Sequence, residues 1–519
     1  MMRISTAQYF DSSSTNYARN YNNLVASSEE ATTQVRVKTG ADDPVGAARL
    51  LQLDQQSSML KQFKGNITTV TNKLGQSEAV LTSVTQVLQR ARELAMSAGN
   101  GAMTDADRGS IASELGQIQD QLQTLMNSKD ENGQYLFSGS KSDVAPFSKN
   151  ADGTYSYNGD QTVQSLQVGD QLSVGINETG YSVFEQAVNT ARTSVTAGNA
   201  DGKAVISNGL VQSSATFNSD FRKGEPYTIT FTSATQLKIT DASGNDLTGE
   251  LSQNGEVTST TGQSVGFRGL SLNLDVNLAK GEDPATALTG RSFTLQSTPD
   301  TFTVNRNPGN ASTAVVTGAS VSNAATYNSA FPQGTAVVKY TDANNVALYA
   351  APITDDSKPV ATAPVTAPGT SVNVGGVTFQ LSGAAQAGDQ FQVAVDNHQT
   401  QNILDTLTQL RQALTTPIDG NTTAKQNFQA QLNASLSNLN SGAETLGNAV
   451  SSIGARGNAL DIQTATNESL TLANTNTASS IRNSDYAEVM TRVTLQQTML
   501  QAAQLTFSKV SQLSLFNRL

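Results

Sequence analysis

From Leu53 to Ala98 the chain repeats apolar residues every seven positions. Leu53, Leu60, Ile67, Leu74, Leu81, Leu88 and Ala95 form one row. Phe63, Val70, Ser77, Val84, Ala91 and Ala98 sit three residues after those from Leu60 onward. This is the a/d seam of a supercoiled α-helix, and a strand, with its period of two, cannot present it on one face. Six heptads commit the segment to one helix of about 69 Å at 1.5 Å per residue. Pro44, after Asp42-Asp43, suits the first helical position, where a missing N–H costs little. The two acids beside it complement the helix dipole, which is a simpler reading than paired carboxylates for metal or acid–base work.

Other seams follow. After the Gly99-Asn100-Gly101 break come Ile111, Leu115, Ile118, Leu122 and Leu125, ending near the Asn132-Gly133 turn signal. Ile403, Leu407, Leu410 and Leu414 form a short seam closed by Pro417. Leu432, Leu439, Leu446, Ile453 and Leu460 are again seven apart, flanked by Leu436, Ala443 and Val450. A seam must be buried against something, and the nearest partners are the other seams of the same chain. The segments Leu53–Ala98 and Leu432–Leu460 therefore read as packed core. The extreme ends differ. Phe10, Tyr17, Leu24 and Ala31 run in sevens, as do Tyr486, Val493, Leu500 and Phe507, with Val489, Gln496, Ala503 and Val510 three residues on. Ser, Thr and Asn crowd the N-terminal set. Helices this polar are marginal alone, so the ends read either as disordered termini or as arms for another copy of the chain.

Between residues 140 and 397 the period changes to short alternating strands with Gly, Asn and Asp turns. Asp152-Gly153 and Asn158-Gly159 are hairpin-turn candidates. Val211–Gly224 aligns with Val321–Gly334 at a constant offset, and both copies run on into alternating strands, Tyr227–Phe231 and Ala336–Tyr340. Gly269–Leu274 resembles Gly376–Leu381, and Arg291–Leu295 resembles Gln390–Ala394. Two tandem β domains of about 90–110 residues follow from this duplication. The expected fold is α+β and multidomain, with a long coiled-coil rod formed by both termini and antiparallel β domains inserted in the middle. The expected divisions are an N-terminal arm (1–43), the N-terminal half of the rod (44–139), a small β region (140–206), β repeat 1 (207–300), β repeat 2 (301–397), the C-terminal half of the rod (398–475) and a C-terminal arm (476–519).

Composition narrows function. The 519 residues contain no Cys and one His, which removes disulfides, Cys-ligated metal sites and thiol nucleophiles. Net charge is −11 with no basic cluster, against nucleic acid. No apolar run approaches the roughly 18 residues of a membrane span, and the first residues lack the apolar stretch of a secretory signal. His398 stands at the return from strands to helix, without local partners for a base or a metal. Asp241, Asn245 and Asp246 around Gly244 lack EF-hand spacing and read as a turn. Gly99-Asn100-Gly101 lacks the P-loop Lys and Ser/Thr. With no nucleophile–base–orienter set in view, the expectation is no enzyme, no cofactor and no metal.

The terminal motifs resemble those of the flagellin superfamily, and within it the hook-associated protein 3 family. Met2–Thr6 is similar to that family's start, and Thr39–Arg49 to its Asp-Asp-Pro segment opening the long helix. Gly133–Gly139 is similar to its turn into the β region. Asp485–Glu488, Leu495–Gln497 and Gln512–Phe516 are similar to its C-terminal arm. The duplicated middle is longer than the family's minimum. The resemblance implies a structural adaptor of the bacterial flagellum at the hook–filament junction, outside the cell. It implies export unfolded through the flagellar type III channel and assembly as a ring of copies. The implied partners are hook-associated protein 1, flagellin, other copies of the chain and an export chaperone on the C-terminal arm, with neither nucleic acid nor membrane. The arm residues assigned to assembly are Phe10, Tyr17, Leu24, Tyr486, Val489, Val493, Leu500, Phe507, Leu515 and Phe516. A filament-forming flagellin is the nearest alternative, and Tyr135–Gly139 with Leu515-Phe516 favours the adaptor. A secreted β-rich adhesin is the alternative from another class.

Overall fold

The computed structural model describes residues 6–332, 335–354, 356–365 and 370–516. Ten α-helices run among them: α1 (Thr6–Thr33), α2 (Pro44–Ala98), α3 (Asp105–Met126), α4 (Ser214–Thr216), α5 (Arg222–Gly224), α6 (Pro284–Leu288), α7 (Ala324–Ala330), α8 (Ile403–Thr415), α9 (Thr422–Arg482) and α10 (Tyr486–Phe516). The sheet strands lie between α3 and α8, and all pair antiparallel. The chain is thus α+β, with long helices at both ends and inserted antiparallel sheets. Its residues group into two compact units, one of 1–74, 165–176 and 454–519, the other of 75–164 and 177–453.

Every position of the Leu53–Ala98 seam is buried, the polar Ser77 included. Leu432, Leu439, Leu446, Ile453 and Leu460 are buried on α9. Burying one such Leu stabilises by about 1.5–3 kcal/mol, so the seams dominate the helical part.

In the first unit, α2 begins where the sequence places it. Asp43 Oδ1 accepts the Gly46 N–H at 2.8 Å. Asp42 Oδ2 accepts the Thr39 and Lys38 N–H groups at 2.8 and 3.1 Å, which hold its carboxyl below the ordinary range. Both acids therefore order the helix start. The α9 seam does not end at Leu460. Seven residues on it places Asn467, which is buried. Its Nδ2 donates to the Val168 carbonyl at 3.1 Å, and its Oδ1 accepts from Gln463 Nε2 at 2.8 Å. Val168 leads the turn of a hairpin, Ser165–Gln167 against Ser173–Gly175. Asn66 of α2 donates to Gln167 O at 2.6 Å, and Arg456 of α9 reaches Gly175 O at 3.3 Å. The hairpin is fastened to both helices.

In the second unit, Thr104 and Asp107 form a reciprocal capping box at the start of α3. The fully buried Gln119 of α3 donates to Leu404 O at 2.9 Å and Thr408 Oγ1 at 2.7 Å of α8, and accepts from Arg411 at 2.7 Å. The Gly133–Gly139 turn delivers Phe137 into an aromatic core, 5.3 Å from the Phe184 ring, with Phe147 5.7 Å from Phe184. Asp152-Gly153 lies in the turn joining Phe147–Lys149 to Tyr155–Tyr157. Asn158-Gly159 makes no hairpin. Gly159 is needed for close approach instead, since a Cβ there would lie 2.4 Å from the Tyr157 hydroxyl oxygen.

The two β domains share the order of their main strands. The first has a sheet ordered Thr193–Ala197, Ser292–Ser297, Tyr227–Ser233, Gln236–Thr240. The second has Thr301–Arg306, Gln390–Asp396, Thr335–Asp342, Asn345–Ala350, with Ala361–Pro364 added at the edge. Each also has a smaller sheet built on a two-residue hairpin. Arg268 and Gly269 both have positive φ, as do Gly375 and Gly376, the type I′ geometry that suits twisted strands. Gly269 O accepts from the Gln212 and Ser213 N–H groups, and Gly376 O from those of Ser322 and Asn323. A Cβ at Gly269 would lie 2.8 Å from Ser213 O, and one at Gly376 2.5 Å from Tyr327 N. Ser213 caps α4 and Asn323 caps α7, each through the N–H three residues on. The duplicated pattern starts at residues 193 and 301. Strands 193–197 and 204–206, which the sequence reading assigns to the small β region, pair within the first repeat.

Candidate assembly surface

Helix α1 stops at Thr33 because Gln34 turns to a positive φ of 55°. The next residues run beside the α9–α10 link. Val35 bridges Asn483, Arg36 N–H donates to Arg482 O at 2.7 Å, and Ser484 N–H donates to Gln34 O at 3.1 Å. Asp485 then opens α10, its Oδ1 accepting the Ala487 N–H at 2.8 Å. Leaving side by side, α1 and α10 pair antiparallel: Glu30 meets Arg492 at 2.9 Å, and the rings of Tyr17 and Phe507 lie 6.4 Å apart. The two ends therefore pack on each other, and each covers part of the other's apolar stripe.

The ten assembly residues from the sequence fall into four groups. Val489, Val493 and Leu500 are buried within the chain. Tyr17, Leu24 and Phe507 are half-buried, whereas Tyr486 is 56% exposed. Phe10, Leu515 and Phe516 lie in α1 and α10, but their side chains are outside the described residues. The polar Gln496 on the α10 seam has a buried Oε1 without a protein partner, as does Glu30 Oε1. Such groups weaken a seam by about 1–3 kcal/mol each.

Sequence reasoning passes over a second set. Tyr21, Val25, Met490, Leu495, Met499 and Leu505 lie off the a/d positions and are 40–65% exposed. Their signal is an apolar residue outside the seam of a helix otherwise rich in polar groups. On α2 and α9 of the same unit, Leu60, Ile67, Asn467, Thr471 and Leu472 line a groove of about 410 Å³, with Leu472 63% exposed.

The chemical candidates take structural roles. His398 has a positive φ of 55°, and its Nε2 lies 3.0 Å from Pro299 O, so it ties two linkers together. Asp241 accepts the Ser243 and Asn245 N–H groups at 2.9 Å, a turn. Among the described residues no three acidic or His side chains gather as a metal site. The carboxyls that burial raises furthest lie at the start of α8. Burial pushes Glu185 up to about 7, against the opposing hydrogen bond from Asn402 Nδ2 at 2.6 Å. Burial likewise pushes Asp405 up to about 6, against the Tyr155 N–H donated at 2.8 Å.

Residues 4–142 match the family model of the bacterial flagellin N-terminal helical region. Among curated proteins, flagellar hook-associated protein 3 of Salmonella typhimurium is 34% identical over 190 residues, 37% of this chain and 59% of that protein. The same protein of Escherichia coli is 32% identical with the same coverage. The chain thus spans about three-fifths of the length of these relatives. Among solved structures, flagellar hook associated protein-3 from Legionella pneumophila covers 83% of this chain and 98% of its own at a TM-score of 0.47 and 22% identity. Residues 4–142 are thus similar to the flagellin N-terminal helical region, and a stretch of 190 residues to flagellar hook-associated protein 3.

Proposed function

We propose that this chain is a structural adaptor of the bacterial flagellum, joining hook to filament as a ring of copies outside the cell. In this reading it is exported unfolded through the flagellar type III system. An export chaperone holds the C-terminal arm until assembly. Hook-associated protein 1 lies on one side of the ring and flagellin on the other. The arms are residues 1–43 and 476–519, carried on helical halves 44–139 and 398–475. The observation that supports it most is the apolar set Tyr21, Val25, Tyr486, Met490, Leu495, Met499 and Leu505, left exposed in a chain similar over 190 residues to hook-associated protein 3. Surface of that composition gains free energy when a neighbouring subunit covers it. A chain without Cys is also suited to passage through a narrow channel unfolded.

The test is removal of about 40 residues from either end, which is expected to abolish junction assembly while the β domains stay folded. Normal motility with both arms removed would overturn the reading. Localisation at the hook tip and binding to flagellin check it directly. A filament-forming flagellin is the second reading, favoured by the flagellin N-terminal match itself. Electron microscopy of purified protein separates the two, since long self-seeded filaments belong to the flagellin.

A further inference from the structure

The two β domains share a fold motif but differ where they face each other. At the position where the first copy has Phe217, the second has Tyr327. Where the first has Arg222, the second has Pro332. Only three residues, Thr298, Pro299 and Asp300, separate the last strand of the first domain from the first strand of the second. Asp300 has a side chain 2% exposed. Its Oδ2 accepts from Arg222 at 2.9 Å and from the Tyr327 hydroxyl at 2.5 Å. Asn328 donates through Nδ2 to the Arg222 carbonyl. Glu225, on the same side as Arg222, accepts the Ser297 N–H and hydroxyl at 2.5 and 2.7 Å, fixing the end of the strand that feeds the linker. Burial and the bond to Asp300 raise the Tyr327 hydroxyl well above the phenol range, so it stays a donor.

We propose that Arg222, Asp300 and Tyr327 form a lock that holds the two β domains in one fixed orientation. One domain supplies the cation, the linker the carboxylate and the other domain the hydroxyl. Neither bond to Asp300 is completed within a single domain, and Asn328 adds a third link across to the Arg222 carbonyl. A short linker alone leaves its flanking domains free to swivel, and inter-domain motion is the default unless an interface prevents it. A buried carboxylate tolerates its burial only while both donors stay in place, which resists the swivel. The divergence between the copies fits this role. Residues 217 and 222 cannot reproduce the lock in reverse, because the first copy lacks the hydroxyl and the second lacks the cation.

The chain has no Cys, so two spin labels can be placed cleanly in the full-length protein. Ser243→Cys and Ala343→Cys put one label on an exposed turn of each domain. Double electron–electron resonance should give a single narrow distance distribution. Tyr327→Phe and Arg222→Met should each widen it at least twofold, with the circular dichroism spectrum unchanged. Tyr227→Phe is the control, since that hydroxyl bonds to Phe221 O within the first domain at 2.6 Å, and it should leave the width alone. A broad distribution in the parent chain overturns the proposal. So does a distribution that stays narrow in both variants. Should Arg222→Met fail to fold, Tyr327→Phe still decides, because a Phe ring at this place is already accommodated in the first copy.

Discussion

The seam of α2 and the seam of the α1–α10 pair are written in the same seven-residue period, yet they end differently. On α2 every a and d position from Leu60 to Ala98 is buried, and its one polar member, Ser77, is small enough to pack. On the arms the d position Gln496 carries a buried oxygen without a protein partner, Leu24 and Tyr17 are half-buried, and Tyr486 stands outside. The period says which face of a helix is apolar. Residue size and polarity along that face decide whether one chain can finish the burial. The long seam closes within the chain, while the arm pair leaves apolar area exposed.

Four experiments break or sharpen this contrast. The largest effect is expected from Leu81→Ala, where a side chain 0% exposed is lost from the long seam. It should lower stability by about 2–5 kcal/mol, read as an earlier transition in urea followed by circular dichroism. A loss below about 1 kcal/mol would mean that this seam is no better packed than the arms. Next is a pH effect outside the arms. Glu185 and Asp405 have folded pKa values near 7 and 6, raised by burial above their unfolded values. The folded chain binds more protons, so this contribution is fully present below about pH 4 and is lost as pH rises through 6 to 7. Glu185→Gln should therefore leave stability at pH 4 unchanged and raise it at pH 8 by about 1–3 kcal/mol. Equal midpoints at pH 8 would remove the effect.

Val489→Ala, inside the arm pair, should cost about 1–2 kcal/mol and act locally. Hydrogen exchange in α1 and α10 should quicken roughly tenfold while α2 near Leu81 keeps its protection. Quickening along all of α2 would show that arms and long seam fold as one. The smallest stability effect belongs to Tyr486→Ser, within about 0.5 kcal/mol because the side chain already meets solvent. If the exposed set is the assembly surface, this change should still reduce incorporation at the hook tip. Normal incorporation of a Tyr486→Ser, Met490→Ser, Leu495→Ser triple variant would sink that assignment.

Much of this architecture is legible in the sequence, and the reasons are local. Leu53–Ala98 and Leu432–Leu460 declare themselves because helical burial repeats within seven residues. The β duplication is legible because the cap, the aromatic and the following strand stand together within Val211–Phe231 and again within Val321–Tyr340. Long-range pairing is not. Thr193–Ala197 joins its sheet through Ser292–Ser297, about a hundred residues away, and no pattern near residue 193 announces it. The pairing of α1 with α10 is equally remote in sequence. The lock at Asp300 is invisible for another reason: aligning the copies hides the contact, because its parts sit at positions where the copies differ.

Asn467 has one more consequence. A strict heptad is degenerate, because sliding one helix past another by seven residues replaces Leu with Leu and Ile with Leu. Such a shift would hardly register in a purely aliphatic seam. An amide that must meet the Val168 carbonyl fixes α9 against the hairpin, which Asn66 ties to α2, and a slipped pairing strands both groups away from water. For a chain whose long helices must find each other across some four hundred residues, the amide works as an index mark: it tells the two ends which turn goes with which.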